Sequence, residues 1–291
     1  MVQATDEPIC SGNSIHQNLN HLKPQCENCF GLCCVALYFS KADGFPTDKS
    51  AGTPCPNLTA DFRCAVHEKL ESSGLNGCAA YECFGAGQQV SQVTFAGMDW
   101  RSKPSAAGLM FDVFLIMQQL HEMCWYLNEA LAFKLELPVQ REIRRALRET
   151  EQITQSDPHS LIEFDLLAHR AKIGALLGNA GRLMRSEINR AGSIAIRAEK
   201  KRKMPADYFG KDLRKKDLRC ADLRGACLIA ADLENADLTG TDFLGADFRD
   251  ANLKGANLSA SIFLTQSQIN VARGDSNTAL PLFISRPKHW S

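Results

Sequence analysis

From Ala206 to Thr265 the chain reads ADYFG KDLRK KDLRC ADLRG ACLIA ADLEN ADLTG TDFLG ADFRD ANLKG ANLSA SIFLT, twelve five-residue units in one unbroken register. The third residue of every unit is Leu, Phe or Tyr, and the first is Ala in eight of the twelve. Neither the helix period of 3.6 nor the strand period of 2 accounts for this pattern. Strict repetition of so short a unit belongs to stacked coils, each burying its apolar side against the next.

These units resemble the pentapeptide-repeat family, whose members form a right-handed quadrilateral β-helix with four five-residue sides per coil. The resemblance implies that the first and third residues point inward while the second, fourth and fifth face outward. Twelve units make about three coils, a stack only about 14 Å tall at a strand spacing of roughly 4.8 Å. Lys211 and Lys216 stand where a small residue is expected, which predicts an irregular first coil. So short a stack needs caps at both ends. Gln266 to Ala272 reads as a short capping helix, and Arg273-Gly274-Asp275 as the turn after it.

Helical sequence precedes the repeat. One helix is predicted from Ser105 to about Leu135 and a second after Pro138. A third begins at Asp157-Pro158, where Asp caps and Pro fits the first turn. Ser160-x-x-Glu163 reads as a capping box, and the third helix is expected to run to Lys203, before Pro205 stops it. The expected fold is therefore an α+β multidomain chain. It comprises an N-terminal arm at 1–25, a cysteine-rich metal-binding domain at 26–100, a helical region at 101–204, the β-helix at 205–265, and a cap and tail at 266–291.

The chain has 291 residues and twelve cysteines, eight of them between Cys26 and Cys83. The first thirty residues lack the basic start and apolar core of a secretory signal, and no apolar run approaches the ~20 residues of a membrane span. A cytoplasmic location with reduced thiols is the expectation. Cys26-Glu-Asn-Cys29 brings two thiolates around one turn with backbone N–H groups near sulfur, a geometry that both zinc and iron–sulfur centres use. Cys33 and Cys34 are adjacent and seldom reach one ion without strain, so they are expected to serve different ions. Cys55, Cys64, Cys78 and Cys83 complete eight, enough for two four-thiolate sites. A single cysteine is simply a small buried hydrophobe; eight in so short a glycine-rich segment point to metal, with a disulfide redox switch as the alternative.

The arrangement CENCFGLCC, then GTPCPNL, RCAVH and the final pair Cys78 and Cys83, resembles the YkgJ-type family of zinc- or iron-chelating cysteine clusters. Together with the repeat and the tail FLTQSQINVARGD, the architecture looks like that of bacterial pentapeptide-repeat proteins with a cysteine-rich front end.

On the first helix Met110, Met117, His121 and Cys124 follow at spacings of seven, four and three, which puts them on one face. They are soft donors of the kind copper prefers, on a helix apolar enough to bury the same stripe as core. His121 and Cys124 are candidates for completing the site begun by the cysteines, and so is His67, three residues after Cys64. Gly85-Ala86-Gly87 lacks the rest of a phosphate loop and reads as a turn. Lys200-Lys201-Arg202-Lys203 reads as a solvated helix end.

Lys+Arg and Asp+Glu both number 33, a formal charge of zero, which removes the usual footprint of a nucleic-acid binder. Members of the resembled repeat family that mimic DNA protect topoisomerases. Here ten acidic residues face eight basic ones over 206–265, against about eight net charges that a duplex of ~14 Å carries. The function expected is metal binding, by iron or an iron–sulfur cluster, zinc or copper, with the β-helix face offered to a protein or peptide partner. The alternative is a metal-dependent oxidoreductase acting on a peptide or small molecule.

Overall fold

The computed structural model describes residues 19–41, 45, 47–70, 73–192, 207–214 and 216–290. The chain divides into two compact units. One takes in 129–140 and 177–291, the other 18–128 and 141–176.

In the first unit the repeat winds as a coil of twenty residues per turn. Parallel bridges join Asp207 to Cys227, Asp212 to Asp232, Asp222 to Asp242, Cys227 to Asp247 and Asp232 to Asn252, each twenty residues apart. No strand longer than such a bridge occurs among the described residues. Each corner closes when the third residue's carbonyl accepts the next unit's first N–H, as from Ala226 to Leu223 and from Ala231 to Leu228, both at 3.0 Å. Asp or Asn recurs at the second position because its Oδ1 accepts the N–H two residues on: Thr239 to Asp237 at 3.0 Å, Arg249 to Asp247 at 3.1 Å. The fifth residue takes a left-handed conformation, as at Gly225, Gly240 and Gly255, and also at Cys220, Ala230, Asn235 and Asp250. That requirement explains the recurrent Gly, Asn and Asp there. Leu228, Leu233, Leu238, Phe243, Phe248, Leu253 and the small residues Ala231 and Ala251 fill the interior. The irregular first coil is seen only in part: Asp212 still bridges Asp232, while among the described residues Asp217 forms no such bridge.

The C-terminal cap differs from the expectation. Its helix is shorter, Gln266–Asn270, begun by Thr265 and Gln268 as a reciprocal capping box. Gln268 also donates to the Phe243 and Ala246 carbonyls, both at 2.9 Å, tying the cap to the last coil. Arg273 is not a turn residue but bridges Asn252, and Ala279 bridges Asn257. The tail therefore continues the stack, because the open edge of the last coil presents backbone groups that need partners. Ile284 and Trp290 close the core beneath it, with Trp290 Nε1 donating to Ala272 at 2.9 Å.

Beyond residue 106 the α-helices among the described residues are α1 (Ala107–Ala132), α2 (Leu137–Ile153), α3 (Pro158–Glu163), α4 (Leu166–Gly192) and α5, the cap helix Gln266–Asn270. The expected third helix is two helices. Phe164 leaves the helical region, and the Asp165 carboxylate takes the Ala168 N–H at 2.9 Å, a new N-cap that restarts the chain as α4. Asp157 caps α3 as expected. Ser160 is not a cap: its hydroxyl donates to Asp157 at 2.5 Å. The basic run Lys200 to Lys203 and Pro205 lie outside the described residues.

Within the first unit, the last turns of α4 cover one side of the coil. Arg185 reaches Asp242 and Asp222, and Gly178 and Gly181 let the helix backbone approach Arg224 and Asp242. Asp242 points out of the coil, as its repeat position requires, yet it is wholly buried.

Candidate metal centre

All eight candidate cysteines, Cys26, Cys29, Cys33, Cys34, Cys55, Cys64, Cys78 and Cys83, fall in the second unit as free thiols. Short local turns set them out. A turn at 26–28 lies between Cys26 and Cys29, and a single helical turn, Leu32–Val35, carries Cys33 and Cys34. Cys55 is fixed by its N–H to the Cys34 carbonyl at 2.9 Å, and Cys64 by its antiparallel bridge to Leu58. Several sulfurs accept backbone N–H groups just downstream: Cys29 from Gly31 and Leu32, Cys55 from Asn57, Cys64 from Val66, and Cys83 from Gly85 and Gly87. Such bonds favour the thiolate, the form a metal binds.

Electrostatic neighbours group the thiols into two overlapping sets, since Cys34 acts on Cys26 and Cys29 as well as on Cys55, Cys64 and Cys78. Cys33 feels Cys29 and Cys83, and Cys26 feels Cys29. Cys34, Cys55, Cys64 and Cys78 form the other set, Cys78 feeling all three others. The Cys33 and Cys34 sulfurs are 4.0 Å apart and join the sets. Their hydrogen bond raises the Cys33 thiol well above its ordinary value and lowers that of Cys34. Burial pushes Cys78 and Cys83 up to about 12. No group of three or more described His, Cys, Asp or Glu side chains is placed to hold an ion as it stands; the sulfurs are neighbours, not a closed coordination shell.

Gly87, read from sequence as part of a turn, makes room for this cluster. A Cβ on Gly87 would sit 2.6 Å from the Cys29 sulfur. His67 Nε2 lies 3.9 Å from the Cys26 sulfur, beside the first set.

Two cations that sequence reasoning missed also belong here. Lys49 is buried, its ammonium donating to the Val35, Leu37, Ser50 and Thr53 carbonyls at 2.5 to 3.3 Å and lying 4.5 Å over the Phe39 ring. Its charge lowers the Cys34 thiol and so counterbalances thiolate charge. Arg63 donates to the Cys26 and Glu27 carbonyls and lowers the Cys26 thiol, although burial raises it more. Nothing in the local sequence marked either residue, since both act through loops distant along the chain.

The soft-donor stripe on α1 separates into two parts. Met110 and Met117 are fully buried core. His121 and Cys124 instead line a cleft of about 420 Å³ with His21, Gln89, Arg148 and Glu151, and none of the eight cysteines lines it. His121 Nδ1 donates to the Phe84 carbonyl at 2.7 Å. Burial lowers its pKa to about 4, so the ring is neutral at physiological pH. Burial pushes the Cys124 thiol far up.

Among the described residues, no helix is long and apolar enough to cross a membrane. The repeat matches the family of pentapeptide repeats, in eight copies over residues 226–263, which supports reading the coil as a protein-interaction platform. The chain is 54% identical over 278 residues to Uncharacterized protein YybG of Bacillus subtilis (strain 168), covering 95% of this chain and 98% of that one. No solved structure matches the chain.

Proposed function

The chain belongs to one family with the Bacillus subtilis protein YybG, and from that premise we propose that it is a metal-binding protein with two four-thiolate centres, its pentapeptide coil serving as the platform for a protein or peptide partner. Cys26, Cys29, Cys33 and Cys83 would hold one ion, and Cys34, Cys55, Cys64 and Cys78 the other. Zinc and iron both suit such donors. The observation that carries the reading is the grouping of eight free thiols into two overlapping neighbourhoods that share Cys34, whose sulfur lies 4.0 Å from that of Cys33.

The chemistry of the site is consistent with it. Several sulfurs accept backbone N–H groups, and Lys49 supplies buried positive charge beside the second set. A bound ion displaces the thiol protons that burial otherwise retains, so its binding energy also stabilises the fold. On the coil, the side under α4 is taken, which leaves the sides bearing Arg214, Glu234 and Lys254, Arg219, Thr239 and Ser259, and Phe209, Ile229 and Arg249 for a partner.

Protein purified anaerobically from cells should carry about two metal equivalents. Cys26→Ser with Cys29→Ser should remove one equivalent, and Cys55→Ser with Cys64→Ser the other. A reduced protein without metal, or one whose content none of these changes alters, would overturn the reading.

A further inference from the structure

The cleft floored by His121 and Cys124 has features that neither the thiol centres nor the coil uses. Its wall on α2 carries Arg148, Glu151 and Gln152, on one helix face, and the turn that follows adds Thr154 and Gln155. Arg148 and Glu151 lie one turn apart with opposite charge and, among the described residues, form no ion pair, the Glu151 charge acting only on the Cys124 thiol. His21, Leu22 and Gln89 also line it. Gln89 begins a π-helical turn, Gln89–Thr94, a geometry that recurs at functional sites. Its amide nitrogen donates to the Thr154 carbonyl at 3.3 Å, leaving its oxygen free to accept.

The floor is set by one hydrogen bond. A carbonyl can only accept, so the 2.7 Å contact from Phe84 places the His121 proton on Nδ1. The neutral ring then presents Nε2 as an acceptor, and among the described residues that atom has no partner. Phe84 holds its carbonyl there from a left-handed conformation, φ 48°, which a non-glycine residue adopts at a cost. His121 is 3% exposed and Cys124 1%. With the imidazole pKa lowered and the thiol raised, the two stay neutral and do not form a thiolate–imidazolium pair.

We propose that this cleft binds a free α-amino acid, with its carboxylate on the Arg148 guanidinium and its ammonium between the Glu151 carboxylate and Nε2 of His121. The assignment follows from charge. A guanidinium on the wall opposes a bare cation and suits a carboxylate. A carboxylate one turn away and a buried acceptor at the floor suit a ligand that also brings a cationic donor. A cleft of about 420 Å³ falls in the size range of small-molecule sites, roughly 300–1,000 Å³. Gln89, Gln152 and Gln155, which also line the cleft, suit a ligand with a polar side chain.

The full-length, metal-replete protein should be titrated calorimetrically with each of the common L-amino acids. At least one should bind, and its analogues lacking the amino group or bearing an amide in place of the carboxylate should bind at least tenfold more weakly. Arg148→Gln and Glu151→Gln, at positions outside the core, should each weaken binding at least tenfold with the melting temperature unchanged. Cys26→Ser with Cys29→Ser should leave the affinity as it was, which separates this site from the thiol centres. Absence of binding by every amino acid, equal affinity for the des-amino analogue, or indifference to both α2 substitutions would overturn the proposal.

Discussion

Arg185 on α4 and Asp242 on the coil meet at 2.6 Å with side chains 3% and 0% exposed, and Asp222 adds a second carboxylate at 3.5 Å from the same guanidinium. The outward position of a pentapeptide unit is thereby turned into an interior ion pair. Replacing such a pair with apolar groups costs little, whereas breaking it leaves a charge buried alone.

Arg185→Leu should therefore destabilise the protein by about 3–5 kcal/mol, and Arg185→Leu with Asp242→Leu should recover most of that loss. Urea denaturation of the two variants provides the comparison. A double variant no more stable than the single one would mean that the pair is not what holds the helix to the coil.

Glu129 is buried, its Oε1 accepting the Phe263 N–H at 2.6 Å and its Oε2 without a partner. Burial, and secondarily the nearby Asp242 charge, raises its pKa to about 8. A carboxyl with a folded pKa above its unfolded one stabilises the fold fully below the unfolded value and loses that contribution as pH rises through the folded value. Between pH 6.5 and 8 this group should remove about 2 kcal/mol of stability, at most about 1.4 kcal/mol per pH unit. Glu129→Gln should abolish that decline. Parallel losses in both proteins between pH 6.5 and 8.5 would assign the decline to other groups.

Two glycines of α4 make opposite predictions. At Gly174 a Cβ meets nothing within 4 Å, so Gly174→Ala should stabilise by up to about 1 kcal/mol through helix propensity. At Gly181 the same atom would collide with Asp242 Oδ2 and lie 3.2 Å from the Phe263 ring, so Gly181→Ala should cost about 1–3 kcal/mol. Thermal melts of the two proteins should move in opposite directions; a shared direction would contradict this packing.

Leu238 is wholly buried in the coil and Lys254 is exposed on it. Leu238→Ala should cost about 2–5 kcal/mol through the cavity it leaves, while Lys254→Ser should stay within about 0.5 kcal/mol. Similar midpoints for the two would disprove the inward register.

The coil was legible in sequence because each of its contacts repeats locally. A five-residue corner, an Asp bonding two residues ahead and an apolar residue stacking on the same residue of the next coil recur wherever the period recurs, so Leu238 could be placed inside from its register alone. The start of α3 was legible for the same reason, since Asp157 caps a helix through its immediate neighbours. The second cap at Asp165 was missed because a helical pattern on both sides conceals a single extended residue, Phe164.

What tertiary structure decided depends on residues far apart in the chain. Arg185 and Asp242 are 57 positions apart, Phe84 and His121 are 37 apart, and no periodicity couples them. The same holds for Cys34 with Cys78, for Lys49 beside the thiols, and for Arg273 and Ala279, which lie beyond the last regular unit yet pair with it because an open coil edge needs backbone partners. The sequence by itself determined that there would be a coil and a cluster of thiols. Which side of the coil is covered, which sulfurs are neighbours and which tautomer His121 holds were determined only when distant segments packed, because burial and the partners it imposes belong to the folded chain as a whole.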